Sequence, residues 1–554
     1  MPDSIAPAAA PVAGPRRRWG GLWTPGALLV AALVLGPVVS VLWLAAHPQE
    51  NIWPHLLSTT LPRYLANTLV LVAGVGLLTA AVGTGAAWLV TFYRFPGRRW
   101  LQWALLMPLA VPAYLGAYAL VDFLEYAGPV QRGLRALFGW QSPRDYWFPE
   151  IRTRGAAILV LSVALYPYVY ILARAAFREQ SGATFEVARA LGAGAWGRLM
   201  RVGLPLARPA VAAGVAVVGM EVVNDFGTVD FFAVQTLTTG IFSVWLQAGN
   251  LGGAAQIATL SLGLIVMLVV LEKLSRARAR TFGAARAFRP VEPERLAGWR
   301  GWGAAALCLA PMLAGFALPV GVLLSHALGT EAWAAAGLGE ALWHSLATGG
   351  LAAVITVSAG LFIVYAARLS GRRLPVLLLP VTAIGYAAPG AVLALGILFP
   401  LAGFDNWLAD RWLALTGRDP GLLLTGSAAA LVFAYSVRFF AIAQGAADAA
   451  IARVPPSLPM AARALGRTKG QVLRSVHLPL ISASMGSALL LVFVDCVKEL
   501  PATLLLRPFS YETLATRAHA KASLEDIGGA AAPGLILTAV GLVAVALLAR
   551  AQRE

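Results

Sequence analysis

Two acidic residues lie deep inside stretches of the chain that are otherwise apolar. Glu221 and Asp495 are 274 positions apart (495 − 221) in a chain of 554 residues. Counted from Pro205 at about 1.5 Å per residue, Glu221 lies roughly 24 Å along its stretch, in the outer half of a bilayer. Carboxylates inside a membrane are costly unless they face a partner or a wet cavity, and oxygen ligands suit a hard cation. The two acids are therefore candidates to line a pathway.

A purely structural role is the alternative for these acids. Either carboxylate could form hydrogen bonds with a neighbouring helix, and Lys498 could pair with Asp495 or with Glu499. Asp225 and Glu499, four positions beyond the two acids, are included as candidate pathway-lining residues. No metal ligand is assigned.

The residue patterns of common enzymes do not occur. The six histidines form no H-E-x-x-H motif or other metal-ligand spacing, and there is no G-x-x-x-x-G-K-[ST] phosphate-binding loop. We therefore expect a non-catalytic chain without a bound cofactor. Cys308 and Cys496 are expected to be free buried thiols, because two cysteines cannot make a disulfide framework or a metal-thiolate site.

One polar, basic segment occurs twice, as EVARALGAGAWGRLMRVGLPLARPAV from Glu186 and as MAARALGRTKGQVLRSVHLPLISASM from Met460. The two starts are again 274 positions apart (460 − 186). The recurring residues are Ala188, Arg189, Ala190, Leu191, Gly192, Leu199, Val202, Leu204, Pro205 and Leu206, matched by Ala462, Arg463, Ala464, Leu465, Gly466, Leu473, Val476, Leu478, Pro479 and Leu480. A repeat at half the chain length indicates two equivalent halves.

Local patterns predict a short helix in each copy. Thr184 and Ser457 can cap its start, and Gly192 and Gly466 can end it in the left-handed conformation. A Leu-Pro pair then opens the next span, since proline is tolerated in a first helical turn. A loop that served topology alone would need only charge, so the recurring small residues and glycine favour a docking helix.

The whole chain has the composition of a polytopic membrane protein. It is 59% hydrophobic and 12% charged, with a mean hydropathy of +0.72. We predict an all-α fold of twelve spans, six in each half. Their ranges are 24–46, 64–93, 100–125, 155–177, 206–230, 253–274, 301–327, 341–367, 374–403, 421–445, 481–505 and 527–549.

Lys and Arg residues set the orientation of these spans. They cluster before the first span, with Arg16, Arg17 and Arg18, and after the even-numbered spans, which puts both termini and both repeated segments on the cytoplasmic side. The net charge of +17 is dispersed among these loops, so it does not indicate nucleic-acid binding.

The predicted organisation is a tail (1–23), a first half (24–274, docking segment 184–205), a basic linker (275–300) that includes Pro290, a second half (301–549, docking segment 457–479) and a tail (550–554). Gly371-Arg372-Arg373 repeats Gly97-Arg98-Arg99 at the same offset, and the parallel repeat predicts a pathway between the halves.

The repeated segment resembles the EAA motif of inner-membrane permease subunits of binding-protein-dependent ABC importers. Both copies keep the spacing from the glycine to the aliphatic residue and the Leu-Pro pair. The resemblance implies a type I importer permease fold, two copies of a separate ATPase subunit and an extracytoplasmic substrate-binding protein. The residues that it implies for ATPase coupling are Glu186, Ala188, Arg189, Gly192, Leu204 and Pro205 in the first copy and Met460, Ala462, Arg463, Gly466, Leu478 and Pro479 in the second. Met460 stands where the motif has an acid, so unequal ATPase contacts are expected.

Fusion of two six-span units resembles the ferric-iron permeases, although thiamine permeases share it. The stretches Met220–Val234, Lys498–Pro508 and Thr513–Arg517 look like those of iron(III)-type permeases. The resemblance therefore implies ferric iron, with thiamine or another small solute as the alternative. A secondary transporter driven by an ion gradient is the alternative from another class, and it would transport without an ATPase.

Overall fold

The computed structural model describes residues 23–279, 292–329, 331–370, 373–383 and 388–551. The arginine cluster at 16–18, the linker residues 280–291 with Pro290, the pair Gly371-Arg372 and the residues after 551 lie outside the described residues. The described part is helical apart from two short strands, β1 (Tyr93–Arg94) and β2 (Glu294–Arg295), which pair in parallel.

The helices fall on either side of the linker along the chain. The first half contains α1 (Trp23–Ala46), α2 (Trp53–Ser58), α3 (Leu61–Phe92), α4 (Arg98–Ala104), α5 (Ala113–Leu124), α6 (Pro129–Phe138), α7 (Arg154–Arg178), α8 (Gly182–Ala190), α9 (Ala195–Arg198), α10 (Leu204–Asn224), α11 (Gly227–Phe231), α12 (Leu237–Phe242) and α13 (Leu251–Ala279). The second half contains α14 (Gly298–Met312), α15 (Leu318–Gly329), α16 (Leu338–Ser370), α17 (Arg373–Thr382), α18 (Gly390–Thr416), α19 (Ala428–Arg438), α20 (Phe440–Ala452), α21 (Ser457–Ala464), α22 (Lys469–Val472), α23 (Leu478–Lys498), α24 (Pro501–Leu506), α25 (Leu514–Ser523) and α26 (Ile527–Ala551). Single 3-10 or π turns cover Met107–Ala110, Leu199–Gly203, Ser243–Gln247, Leu313–Ala317, Ala332–Ala334 and Leu473–His477.

The all-α polytopic fold class is confirmed. Within the described ranges, ten helices are long and apolar enough to cross a membrane, and two bent helix pairs raise the number to twelve if each pair is one span. Each such helix supplies the roughly 20 apolar residues that the hydrocarbon core requires.

Five of the predicted spans are broken rather than continuous. The predicted span 100–125 turns by 94° between the segment that ends at Ala110 and the segment that begins at Ala113. Val111 is extended (φ −94°, ψ 120°) because the residue before a proline, here Pro112, is disfavoured in the helical region. Pro389 likewise precedes the first residue of α18, so the range predicted as one span, 374–403, contains α17 and the first part of α18. The span predicted for 421–445 bends by 48° at Phe439.

The predicted spans 206–230 and 481–505 also end early, at equivalent places. α10 ends at Asn224 and α23 at Lys498, and the next residues, Asp225 and Glu499, have extended backbones. The short helices α11 and α24 follow the two breaks. The repeat is therefore preserved in an interruption that apolar content alone does not indicate.

The first helix of each half packs against the other half. Ala27 and Ala31 of α1 belong to a buried cluster of the second half that includes Tyr365. In the first half, Cys308 of α14 is buried with Tyr166. The two halves are thus interlocked, and both cysteines are free and buried, as predicted.

Candidate functional site

The two repeated segments form short helices with the same ending. Gly192 follows α8 and Gly466 follows α21, and both have φ of +81°. In each copy the amide of the glycine donates to the carbonyl three residues back at 2.9 Å, and the next amide donates to the carbonyl five residues back, at 3.0 Å and 3.1 Å. This pattern satisfies the last carbonyls of a helix through a left-handed residue. The predicted ending is confirmed.

The predicted cap at Thr184 is wrong. α8 begins at Gly182, so Thr184 lies inside the helix, and no side chain caps its start at Ser181. In the second copy Ser457 is the first residue of α21, after Pro456, and no side-chain cap forms there either. Both helices begin a little earlier than the capping pattern indicated.

Both docking helices expose apolar side chains. Leu191 is 82% exposed and its counterpart Leu465 is 84% exposed. Val187 and Met460 are also exposed, at 59% and 63%. Exposed apolar groups that recur at equivalent positions indicate a surface that another molecule covers. The leucines belong to the repeat but were not among the predicted coupling residues.

The other predicted coupling residues fall into two groups. Glu186, Arg189 and Arg463 are exposed on the docking helices, with Ala188 and Ala462 half-buried beside them. The two Leu-Pro pairs, at 204–205 and 478–479, lie instead in the first turn of the long helices α10 and α23. A π turn precedes each pair, which suits a proline that cannot donate a backbone hydrogen bond.

A central cavity of about 210 Å³ lies where the two halves meet. All four predicted acids border it, together with two cations, and these six residues are Glu221, Asp225, Asp495, Glu499, Arg438 and Lys498. Its walls come from α5 and α7 with the end of α10 on one side, and from α19 and the end of α23 on the other. The breaks after α10 and α23 meet beside this cavity, since a Cβ added to Gly227 would lie 2.9 Å from Leu500 of the other half.

Asp225 and Glu499 occupy equivalent places and have local structural partners. The Asp225 carboxylate accepts hydrogen bonds from the Thr228 amide at 3.1 Å, the Thr228 hydroxyl at 2.9 Å and the Val229 amide at 3.0 Å. Glu499 accepts one from the Ala502 amide at 3.0 Å and pairs with Arg438 at 3.0 Å. These two carboxylates therefore stabilise the breaks that follow α10 and α23.

Glu221 and Asp495 have no such partners among the described residues. Both are half-buried against the cavity, and neither forms a hydrogen bond or an ion pair with another described side chain. Lys498 forms no direct ion pair with an acid among the described residues; its ammonium donates to the Leu109 carbonyl at 2.9 Å and interacts electrostatically with Asp495. The two carboxylates are thus available to whatever enters the cavity.

The sequence interpretation missed Arg438 and several other residues that line this cavity. Arg438 has no counterpart in the first half, where Ala164 stands at the matching position (438 − 274), so the repeat could not reveal it. A lone arginine within an apolar span was the signal that could have done so. Tyr114 and Asn224 also border the cavity, and their side-chain oxygens are buried without a hydrogen-bond partner.

Several known permeases are similar in sequence to this chain. The Fe(3+)-transport system permease protein FbpB 2 of Haemophilus influenzae is 24% identical over 81% of this chain and 82% of its own length. The sulfate transport system permease protein CysT of Escherichia coli is 25% identical over 44% of this chain and 86% of its own. A chain in a crystal structure of a bacterial alginate ABC transporter is 18% identical, covers 47% of this chain and 96% of its own, and has a TM-score of 0.38.

A family profile matches most of the chain in two separate segments. The family is described as the inner membrane component of binding-protein-dependent transport systems, and the matches cover residues 75–280 and 359–553. They fall one in each half, as the repeat predicts. The apolar helices and these two matches make the chain a multi-pass inner-membrane protein, and it belongs to the family of inner membrane components of binding-protein-dependent transport systems, the permeases of ABC importers.

Proposed function

We propose that this permease carries ferric iron through the central cavity, with both termini on the cytoplasmic side. The similarity to an Fe(3+)-transport permease over 81% of the chain supports the substrate. The cavity supports it through charge: four carboxylates and two cations leave a formal charge of −2 on its lining. Oxygen ligands also suit a hard cation.

The same charge argues against an anion such as sulfate. Both cations of the cavity are engaged, Arg438 with Glu499 and Lys498 with the Leu109 carbonyl. The partner-free groups, Glu221 and Asp495, are acidic. Within the described ranges no three His, Cys, Asp or Glu side chains are grouped closely enough to hold a metal ion.

Neutralising the two partner-free acids tests this pathway. In the double variant Glu221→Gln with Asp495→Asn, we expect uptake of radiolabelled iron to fall about tenfold or more, since a cation loses both carboxylates that face it. Assembly with the ATPase and stimulation of ATP hydrolysis by the loaded binding protein should persist. The matched control is Glu50→Gln with Asp410→Asn, which makes the same charge change at exposed positions that have no side-chain partners in the described part of the chain. Unchanged uptake in the cavity variant would contradict the proposal.

We also propose that α8 and α21 each seat in a groove on one of two copies of a separate ATPase subunit, which hydrolyses ATP while this chain remains non-catalytic. The single observation that carries this is the matched exposure of Leu191 and Leu465, next to glycines of identical backbone conformation. Closure of the two ATPases would then move the two halves against each other.

Charged substitutions at the exposed leucines test the docking. We expect Leu191→Asp with Leu465→Asp to reduce co-purification of the ATPase at least about tenfold, because a charge would be buried in an apolar groove. Leu137→Asp is the control, since Leu137 is 76% exposed on α6, outside the docking segments. Iron uptake by liposomes that contain this chain alone would favour the secondary-transporter alternative instead.

A further inference from the structure

The linker between the two halves returns to the first half before α14 begins. Its strand β2 pairs with β1, and the Leu296 amide extends the pairing by donating to the Arg94 carbonyl at 2.9 Å. β1 directly follows α3, and α3 carries the rings that hold the first docking helix. Phe185 of α8 is 5% exposed, and its ring lies 4.6 Å from that of Phe92.

Glu294 connects this strand to the first docking segment. Its carboxylate accepts two hydrogen bonds from the Arg198 guanidinium, one to each oxygen, and a third from Arg189 at 3.3 Å. Arg189 lies in α8 and Arg198 in α9, so one carboxylate holds both sides of the bend at Gly192. The hydrogen bonds from Arg198 keep the pKa of Glu294 below its usual value, and the carboxylate is therefore charged at neutral pH.

The second docking helix lacks the counterparts of both contacts, the buried phenylalanine ring and the arginine that binds Glu294. At the 274-residue offset, Phe185 is replaced by Pro459 and Arg198 by Val472. α21 buries none of its side chains. Arg463, the counterpart of Arg189, forms no ion pair with any residue that the structure describes.

We propose that the linker strand β2 is a built-in part of the first docking surface, and that Glu294 is a positioning residue that orients α8 for the ATPase. The inference rests on the proposed coupling role of α8. It has a chemical consequence for the partner. Glu294 shares its one negative charge between Arg198 and the mostly exposed Arg189, whereas Arg463 has no carboxylate beside it among the described residues and offers its whole guanidinium to an acidic side chain of the ATPase. Two identical ATPase copies thus meet two unlike surfaces.

The experiment measures how much substrate is transported per ATP hydrolysed, in liposomes that contain this permease, its ATPase and its binding protein. Glu294→Gln keeps the side-chain shape and removes the charge, so this ratio should fall about two- to fivefold, the range for losing a partly exposed ion pair. The thermal unfolding midpoint of the purified permease should stay unchanged. Glu150→Gln is the matched control, because it makes the same charge change at an exposed residue outside the docking segments that has no side-chain partner among the described residues.

A charge swap provides the second arm. Arg198→Glu and Glu294→Arg should each lower the ratio, and the double variant should restore at least half of it. An unchanged ratio in Glu294→Gln would overturn the inference, as would a fall in the ratio matched by an equal loss of thermal stability, which is what a merely structural role predicts. Failure of the unaltered permease to bind any ATPase would instead overturn the proposed coupling.

Discussion

Arg438 shows how strongly one buried charge can depend on its partner. Its side chain is 11% exposed and donates to Glu499, which is 4% exposed, at 3.0 Å. Arg438→Met would leave the Glu499 carboxylate charged and unpaired, which costs about 3 kcal/mol or more in a buried pair. We expect a clear fall in the thermal unfolding midpoint of the permease in detergent.

A second substitution separates loss of the pair from loss of packing. Adding Glu499→Gln to Arg438→Met removes the unpaired charge and should recover most of the lost stability. Arg453→Met, at an exposed position without a recorded partner, should leave the midpoint unchanged. If Arg438→Met is as stable as the unaltered chain, the ion pair does not support the fold.

Among single residues, the 274-residue repeat predicts members of the cavity only where both halves carry the same type of side chain. It pairs Glu221 with Asp495, and the structure places both acids on one cavity. It is silent on Arg438, which occurs in one half only. It also does not indicate that the carboxylate oxygens of Asp225 and Glu499 accept hydrogen bonds from nearby backbone amides, because these bonds depend on a backbone break and not on residue type.

Among the elements, the ends of the docking helices are the most sharply defined. Proline cannot adopt a φ of +81°, the angle found at both Gly192 and Gly466. Gly192→Pro or Gly466→Pro should therefore redirect the chain after α8 or α21 and lower substrate uptake at least about tenfold. The permease itself should still fold, because no atom lies within 4 Å of a Cβ added at either glycine.

Gly139→Pro serves as the control for this change. Gly139 also ends a helix, α6, with a positive φ of 73° and open space around it, but it lies outside the docking segments. Uptake should be largely retained in this variant. Wild-type uptake in both docking variants would count against the coupling role of α8 and α21.

The long helices were predictable from sequence and their interruptions were not. Apolar runs of about 20 residues indicate where a span lies, and the structure has a helix in each predicted range. The breaks at Pro112 and at Asp225 have local causes, but residue type alone does not place a break, since Pro37 and Pro167 lie inside the continuous helices α1 and α7. A chain can leave the helical path inside a membrane only where its backbone groups find bonds within the protein, and residue type does not state where those bonds form.

For the whole molecule, the two halves share a fold but hold their docking helices differently. Phe185 and Glu294 fix α8, whereas α21 buries no side chain. We expect backbone amides of α8 to exchange with deuterated water at least about threefold more slowly than those of α21, since buried contacts raise the cost of local opening.

The comparison should be made on the permease without its ATPase, because a bound partner would protect both helices. In Glu294→Gln the amide exchange rate of α8 should rise towards that of α21, and the rate of α21 itself should stay unchanged. Equal exchange of the two helices in the unaltered chain would contradict the difference between the halves.

The sequence repeat does not indicate that the two halves interlock by exchanging their first helices. A linear division at the linker assigns α1 to the first half and α14 to the second, yet each packs into the core of the other. Sequence similarity between halves records their common pattern, whereas the exchange of first helices is a property of how the two copies meet.

The pairing of β1 with β2 joins residues 93 and 294, which leave the ribosome about two hundred positions apart. Contacts so distant along the chain form late, after the intervening helices have been made. The first docking helix therefore reaches its final hold only when synthesis has passed the linker. A chain that stops within the first half would lack β2 and Glu294, so its first docking helix would keep only the contacts made within that half.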